Sequence, residues 1–205
     1  MDNHPLLIES ICIKDQKIQL LDYHNQRAND ARCELFNTDE LLDFNNVIDI
    51  NEAKGTIVKC RIVYGENIKS IEYQPYKLKP IDSLKIIEID DDWDYKYKYF
   101  DRNKLNHYFS QRGTADDMIM IQKGFVTDSY YGNFAFLKNG IWYTPEHPLL
   151  KGIRRASLIE KGQIVERQVP RAKIQSYEAI RIFNAMIEFG QIEISINSID
   201  NSNSI

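Results

Sequence analysis

The sequence predicts an α+β protein built in two parts, and three observations predict it. Short apolar runs separated by polar turns fill the first 92 residues, interrupted by one longer helical stretch. The remainder is punctuated by turn signals at Lys123-Gly124, Asn139-Gly140 and Gly162-Gln163, with only short helical segments between them. The acidic run Asp90-Asp91-Asp92, followed by Trp93-Asp94, marks the expected crossing between a first domain over 1–92 and a second over 93–205.

Taken in order, Leu6 to Lys14 and Lys17 to Leu21 read as strands around the polar turn at Asp15-Gln16. Asp22 to Phe36 reads as a helix with Asp22 as its N-cap. Thr38-Asp39-Glu40 is placed to cap a second short helix carrying Leu41, Leu42 and Phe44. Thr56 to Tyr64 and Ile68 to Tyr76 flank Gly65-Glu66-Asn67 as a hairpin, and Ser83 to Asp90 reads as a further strand. In the second part, Lys104 to Phe109 reads as a helix and Asp117 to Gln122 as a buried strand. Arg154 to Glu160 follows as a short helix ended by Gly162, and Pro170 suits the opening of another helix through about Tyr177. Asn201-Ser202-Asn203-Ser204 has the composition of a disordered tail.

Composition narrows the function classes. A chain of 205 residues, 43% hydrophobic and 27% charged, can bury a sizeable core. A net charge of -4 argues against nonspecific affinity for nucleic acid or an anionic membrane. No apolar run reaches membrane-spanning length, and Met1-Asp2-Asn3-His4-Pro5 lacks the features of a signal peptide. Cys12, Cys33 and Cys60 are odd in number and well separated, as expected of reduced thiols in a cytoplasm. His4, His24, His107 and His147 show no metal-ligand spacing, so no metal site is predicted.

The chemistry is carried by a series of short motifs. Gly124-Phe125-Val126-Thr127-Asp128-Ser129-Tyr130-Tyr131-Gly132-Asn133 is followed by Asn139-Gly140-Ile141-Trp142-Tyr143-Thr144-Pro145 and then by Leu149-Leu150-Lys151-Gly152-Ile153-Arg154. Upstream stand Leu7-Ile8-Glu9-Ser10, Tyr23-His24-Asn25-Gln26-Arg27 and Asp116-Asp117. Phe183-Asn184-Ala185-Met186 stands near the end. In type, gap and order this series resembles the class IV aminotransferases, the fold-type IV pyridoxal-phosphate enzymes. The resemblance runs from about Leu7 to Met186. It implies a small N-terminal α/β sandwich, a C-terminal pseudo-barrel, a homodimer and pyridoxal 5'-phosphate as cofactor.

Such a cofactor needs an amine, a carboxylate at its pyridine nitrogen, a phosphate cradle and a packed ring face. The resemblance places the Schiff-base lysine at Lys98, four residues before Arg102, in Tyr95-Lys96-Tyr97-Lys98-Tyr99-Phe100. Read without it, Lys96 and Lys98 alternate onto one face of a strand and are equally suited to be solvated surface lysines. The family's glutamate at the pyridine nitrogen is replaced by Asp128, one methylene shorter, five residues before Asn133, which the resemblance also places among the cofactor-binding residues. Arg27 takes the position of the phosphate arginine, and Gly152, Ile153 and Arg154 that of the phosphate-binding amides at a helix start. Leu150 is placed under the ring. Tyr130-Tyr131 replaces a loop of small residues and is a departure, as is the short chain.

Of the reactions open to this family, the compact first-helix segment and the Asn-Ala-Met ending favour a 4-amino-4-deoxychorismate lyase, which releases pyruvate and forms p-aminobenzoate in folate biosynthesis. The alternatives are an aminotransferase acting on branched-chain or D-amino acids and a non-catalytic relative. Either enzyme takes a small amino substrate with a carboxylate, for which Arg61, Arg112, Arg154 and Arg155 are all available.

Overall fold

The computed structural model describes residues 4–200. It divides into two compact units, one of residues 1–78 with 97–101, the other of residues 79–96 with 102–205. The expected division after residue 92 therefore falls inside the second unit. The reason is strand pairing: Leu84–Glu88 lies in parallel register on Asp117–Gln122, which draws the chain from 79 onward into the second unit. The predicted tail at 201–204 lies outside the described residues.

The first unit is a four-stranded sheet with one helix on its face. Its strands are β1 (Leu7–Lys14), β2 (Lys17–Ile18), β3 (Ile57–Tyr64) and β4 (Ile68–Pro75), in the order β2-β1-β3-β4. The β3–β4 pair is the hairpin read from the sequence, with a register shift at Val63/Tyr64. Helix α1 (Leu21–Phe36) turns His24, Ala28, Ala31 and Arg32 inward, a set spaced by one and two turns. Two alanines on that stripe let the helix lie close to the sheet, over Leu7, Ile11, Cys60, Ile62 and Tyr64.

Two expectations for this unit are corrected. The N-cap of α1 is Leu20, in the left-handed region and with no side-chain cap. Asp22 lies in the first turn, where its charge still suits the helix dipole. The helix expected to start at Thr38-Asp39-Glu40 does not form. Its backbone groups are taken instead by polar side chains of α1: Asn29 bonds both N–H and C=O of Leu42, Asn25 accepts from Phe44 N, and Arg32 donates to Glu40 O. Only a 3-10 turn over Phe44–Asn46 remains, capped by Asp43, and Phe44 is its buried anchor. Leu41, expected on an apolar face, is 80% exposed.

The 97–101 segment also differs from its reading as a strand. It forms a single bridge, Leu7↔Tyr99, with Ile8 N donating to Lys98 O (2.9 Å) and Phe100 N to Leu6 O (2.8 Å). Strand β2 covers β1 only at Ile13 and Lys14, so the start of β1 has a free edge, and this segment fills it.

The second unit holds two sheets. In one, β5 (Leu84–Glu88), β6 (Asp117–Gln122), β7 (Phe125–Val126) and a terminal pair β13 (Ile199–Asp200) run in the order β13-β5-β6-β7. In the other, β8 (Asn133–Lys138), β9 (Ile141–Pro145), β10 (Val165–Arg167), β11 (Ala179–Phe183) and β12 (Ile192–Ser195) run in the order β10-β9-β8-β11-β12. The helices are α2 (Asn103–Ser110) and α3 (Ile153–Glu160). The predicted turns at Lys123-Gly124 and Asn139-Gly140 have positive φ at both residues, the geometry a two-residue hairpin requires. The segment after Pro170 is a 3-10 helix over Arg171–Ser176, shorter and tighter than the helix expected there.

Candidate functional site

The predicted residues fall into one cluster in each unit. In the first, Glu9 points from the middle of β1 to the α1 face and is fully buried. Arg27 forks onto it, Nε donating to Oε1 at 2.8 Å and Nη2 to Oε2, while His24 Nδ1 lies 2.6 Å from Oε2. Helical spacing explains the convergence, because His24 and Arg27 are three residues apart on one face of α1. Burial alone would raise the Glu9 carboxyl. The Arg27 charge, then His24 and the hydrogen bonds from both, outweigh it and hold Glu9 down at about 2. His24 is lowered by burial against the pull of Glu9, with the Arg27 and Lys98 charges adding to the effect. An ionised Glu9 needs a donor, so the neutral ring carries its proton on Nδ1. Its Nε2 is buried and has no hydrogen-bond partner among the described residues.

Arg27 thus has Nε and Nη2 committed to Glu9, leaving Nη1 as the donor group free of that carboxylate. Lys98 lies in the same unit, half-buried, close enough for its charge to act on His24. Lys96, its rival in the sequence, is exposed and belongs to the second unit, where its N–H is bonded to Asp94. Burial separates two lysines that alternation could not.

In the second unit, β6 turns through Lys123-Gly124 into β7 and delivers Asp128 to a bridge with Asn133 at the head of β8. Asp128 is 5% exposed. Its Oδ1 accepts from Asn133 Nδ2 at 2.6 Å and its Oδ2 from Leu150 N at 2.8 Å. Burial pushes its carboxyl up to about 7, only partly offset by the Leu150 amide, Asn133 and the more remote Arg155 charge. Leu150, expected to act through its side chain, contributes its backbone to this cluster, its carbonyl accepting from Asn133 Nδ2 at 2.9 Å. Gly152 is the N-cap of α3, which has no side-chain cap, so the first N–H groups of α3, from Ile153 and Arg154, lack acceptors within the helix.

The loop between Asp128 and Asn133 is braced from several sides. Ser129 Oγ accepts from Tyr131 N and Gly132 N, and Tyr130 N donates to Asp117 Oδ1 at 3.0 Å. Gly132 has no room for a side chain, because a Cβ there would lie 2.4 Å from Phe183 O. Tyr130 is locked in a stack: its ring is 3.9 Å from Phe109, Arg102 sits 4.3 Å above it, and Arg112 lies 3.7 Å from the Phe109 centroid. Its hydroxyl is spent on Asn106 at 2.8 Å. Of the four arginines considered for a substrate carboxylate, Arg155 is buried and paired with Glu166 and Pro145 O, and Arg154 donates to Asn184 O and Ala185 O. Arg112 donates to Phe109 O, and Arg61 lies 5.5 Å from the Phe100 centroid.

With this geometry in view, the family can be stated. The model of amino-transferase class IV matches residues 6–194. The chain belongs to the class IV aminotransferases. An uncharacterised Haemophilus influenzae protein is 34% identical over 183 residues, which span 88% of this chain and 97% of the relative. A solved Haemophilus somnus structure, provisionally named a 4-amino-4-deoxychorismate lyase, is 31% identical, covers 92% of this chain and 99% of its own, and superposes with a TM-score of 0.84. The Pseudomonas aeruginosa 4-amino-4-deoxychorismate lyase, at 14% identity over 96% of this chain and 83% of its own, shares the fold with a TM-score of 0.70. The two-unit α+β architecture is therefore that of the fold-type IV family.

Sequence reasoning missed Glu9, His24 and Asp117 as parts of these clusters. A signal existed for the first: a lone carboxylate in the apolar run Leu7-Ile8-Glu9-Ser10-Ile11 has to find a cation once the strand is buried. Asp117, pushed up to about 6 by burial, gave no comparable signal, since Asp116 beside it is exposed and bonded to Asp82, Ser83 and the Ser83 hydroxyl.

Proposed function

We propose that this chain is a pyridoxal-phosphate enzyme of the 4-amino-4-deoxychorismate lyase type, converting its substrate to p-aminobenzoate and pyruvate. The observation that carries the reading is Asp128: an enclosed carboxyl, held by neutral N–H donors and pushed up to about 7 by burial. Such a group gains most from a cation placed against it. A protonated pyridine nitrogen is a cation of that kind, so the residues present fit the cofactor. Similarity to the Haemophilus somnus protein favours the lyase among the reactions of the family.

When bound, pyridoxal phosphate supplies an electron sink for a carbanion at the amine-bearing carbon of the substrate. Asp128 would keep the pyridine nitrogen protonated. The family pattern assigns the phosphate to Arg27, which Glu9 fixes, and to the N–H groups at the start of α3, either of which would donate to it. Lys98 is the amine that carries the cofactor and afterwards the acid and base. Lys98 is half-buried, in contrast to exposed Lys96; the amine would be neutral to attack or to take a proton, and protonated when it returns one. Lys98 Nζ would take the proton from the amine-bearing ring carbon, the neighbouring ring C–O bond would break with its electron pair leaving on the enolpyruvyl oxygen, and the same Nζ would return the proton to the methylene carbon of that enolate to complete pyruvate.

The test is an absorbance spectrum of the purified protein with added pyridoxal phosphate, then borohydride reduction and peptide mapping. The expected result is a band near the visible edge and a stable adduct on Lys98, abolished in Lys98→Ala and retained in Lys96→Ala. An adduct on Lys96 would move the assignment by two residues, and no band with excess cofactor would overturn the reading. Release of p-aminobenzoate and pyruvate from 4-amino-4-deoxychorismate then tests the lyase; transfer of the amino group to a 2-oxo acid would replace it with an aminotransferase.

A further inference from the structure

Gly152 presents a puzzle that its backbone does not solve. Its φ of -68° and ψ of 144° are extended values open to any residue, so conformational freedom is no reason for glycine here. Space is the reason. A Cβ at this position would lie 2.0 Å from Oδ1 of Asn133 and 3.2 Å from its Cγ. The same amide group donates from Nδ2 to Asp128 Oδ1 at 2.6 Å and to Leu150 O at 2.9 Å. The second Asp128 oxygen accepts from Leu150 N at 2.8 Å. Three points spread over 25 residues of chain are therefore drawn onto the side-chain amide at the head of β8: the 128 carboxylate, the 150 peptide and the α3 N-cap at 152.

We infer that Asn133 is a positioning residue that locks the Asp128 carboxylate and the Leu150–Gly152 segment into one rigid piece, and that Gly152 is glycine in order to admit it. This rests on the proposed cofactor role of Asp128 and the α3 N-terminus. Asn133 itself, expected from the family pattern to bind cofactor, acts through Asp128. Its two Nδ2 hydrogens are both used, and its Oδ1 occupies the space that a side chain at 152 would need. An asparagine suits the task because it is neutral and offers two donors from one nitrogen. An aspartate at 133 would set a second carboxylate against Asp128, and an alanine would release both the carboxylate and the loop.

The two halves of the inference predict different behaviour of single and double variants. In apoprotein, with Asp128 followed by carboxyl carbon NMR, Asn133→Ala should move its titration upward by about one to two pH units, the size of one lost charge-assisted hydrogen bond. Gly152→Ala in the native background should also disturb that titration and lower the melting temperature, because the new methyl displaces the amide. In the Asn133→Ala background the same Gly152→Ala change should have little further effect on either readout, because the space it needs is vacant. That non-additivity is the signature of direct coupling, and a purely local role for Gly152 would not produce it. If Gly152→Ala were equally harmful in both backgrounds, or the Asp128 titration stayed in place in Asn133→Ala, the inference would be overturned. Should Asn133→Ala prove unfolded, Asn133→Ser, which keeps a single donor, decides by the same titration. These readouts need no cofactor. Wild-type protein that binds no pyridoxal phosphate would sink the functional reading separately, and the coupling between 133 and 152 would then describe a brace without a cofactor to serve.

Discussion

Two carboxyls of this molecule are equally hidden from water and end in opposite states. Glu9 in the first unit is 0% exposed and held at about 2; Asp128 in the second is 5% exposed and pushed up to about 7. The difference is the company each keeps. Glu9 receives a forked guanidinium and an imidazole N–H, whereas Asp128 receives neutral N–H donors, and the cation that acts on it, Arg155, is paired with Glu166. Burial sets the penalty for a charge, and a formal counter-charge decides whether it is overcome. Glu9 is complete within the protein. Among the described residues no ion pair to Asp128 forms, and that deficit is what makes it a candidate for a cofactor's ring nitrogen.

The largest expected effect comes from breaking the complete pair. Arg27→Met would leave Glu9 buried without its guanidinium and should cost about 3–5 kcal/mol of stability by chemical denaturation. Adding Glu9→Gln should recover part of the loss, since the stranded charge is then gone. A single-variant loss below about 1 kcal/mol would show that Glu9 finds another partner and would weaken the contrast.

The contrast also has a signature in pH. The folded value of Asp128 lies above its unfolded value near 3.8, so the native state binds more protons between the two, and stability is lost as pH rises from about 4 to about 7. Asp128→Asn in apoprotein should remove this slope. The stability difference between variant and wild type should shift in the variant's favour by about 2–4 kcal/mol from pH 4 to pH 8. Glu9 has the opposite sign. Its folded value lies below its unfolded 4.5, so its contribution is present above 4.5 and disappears as pH falls towards about 2. Parallel curves for Asp128→Asn and wild type would mean that Asp128 stays ionised without help, and the comparison would fail. The smallest effect belongs to Tyr130→Phe, which deletes only the hydroxyl contact to Asn106 and keeps the ring in its stack. It should cost about 0.5–1.5 kcal/mol in thermal unfolding, and a larger loss would mean that the 128–133 loop depends on that bond.

Much of the architecture was legible in the chain. The strand over Asp117–Gln122, the 57–75 hairpin and the turns at 123–124 and 139–140 are local in origin, because residue preference and positive-φ chemistry act over a few neighbours. The spacing from Asp128 to Asn133 was legible for the same reason, since one short loop joins the two ends of a bridge. The helix expected near Thr38 was misread because its competitors, Asn25, Asn29 and Arg32, lie a turn or more away on another element. The acidic run at 90–92 looks like a boundary in the sequence, whereas parallel pairing of 84–88 with 117–121 draws the chain from 79 to 96 into the second compact unit.

The sequence by itself determined the order of elements, the family pattern and the identity of the groups available for chemistry. Tertiary structure decided what those groups became. It buried Lys98 partway and left Lys96 in water, by seating 97–101 on the free edge of β1. It gave Arg27 a carboxylate eighteen residues away, and it made Gly152, read from the sequence as a phosphate-binding amide, the space that Asn133 occupies. Desolvation and pairing depend on which distant residues share a small volume, and that is settled only when the chain has packed.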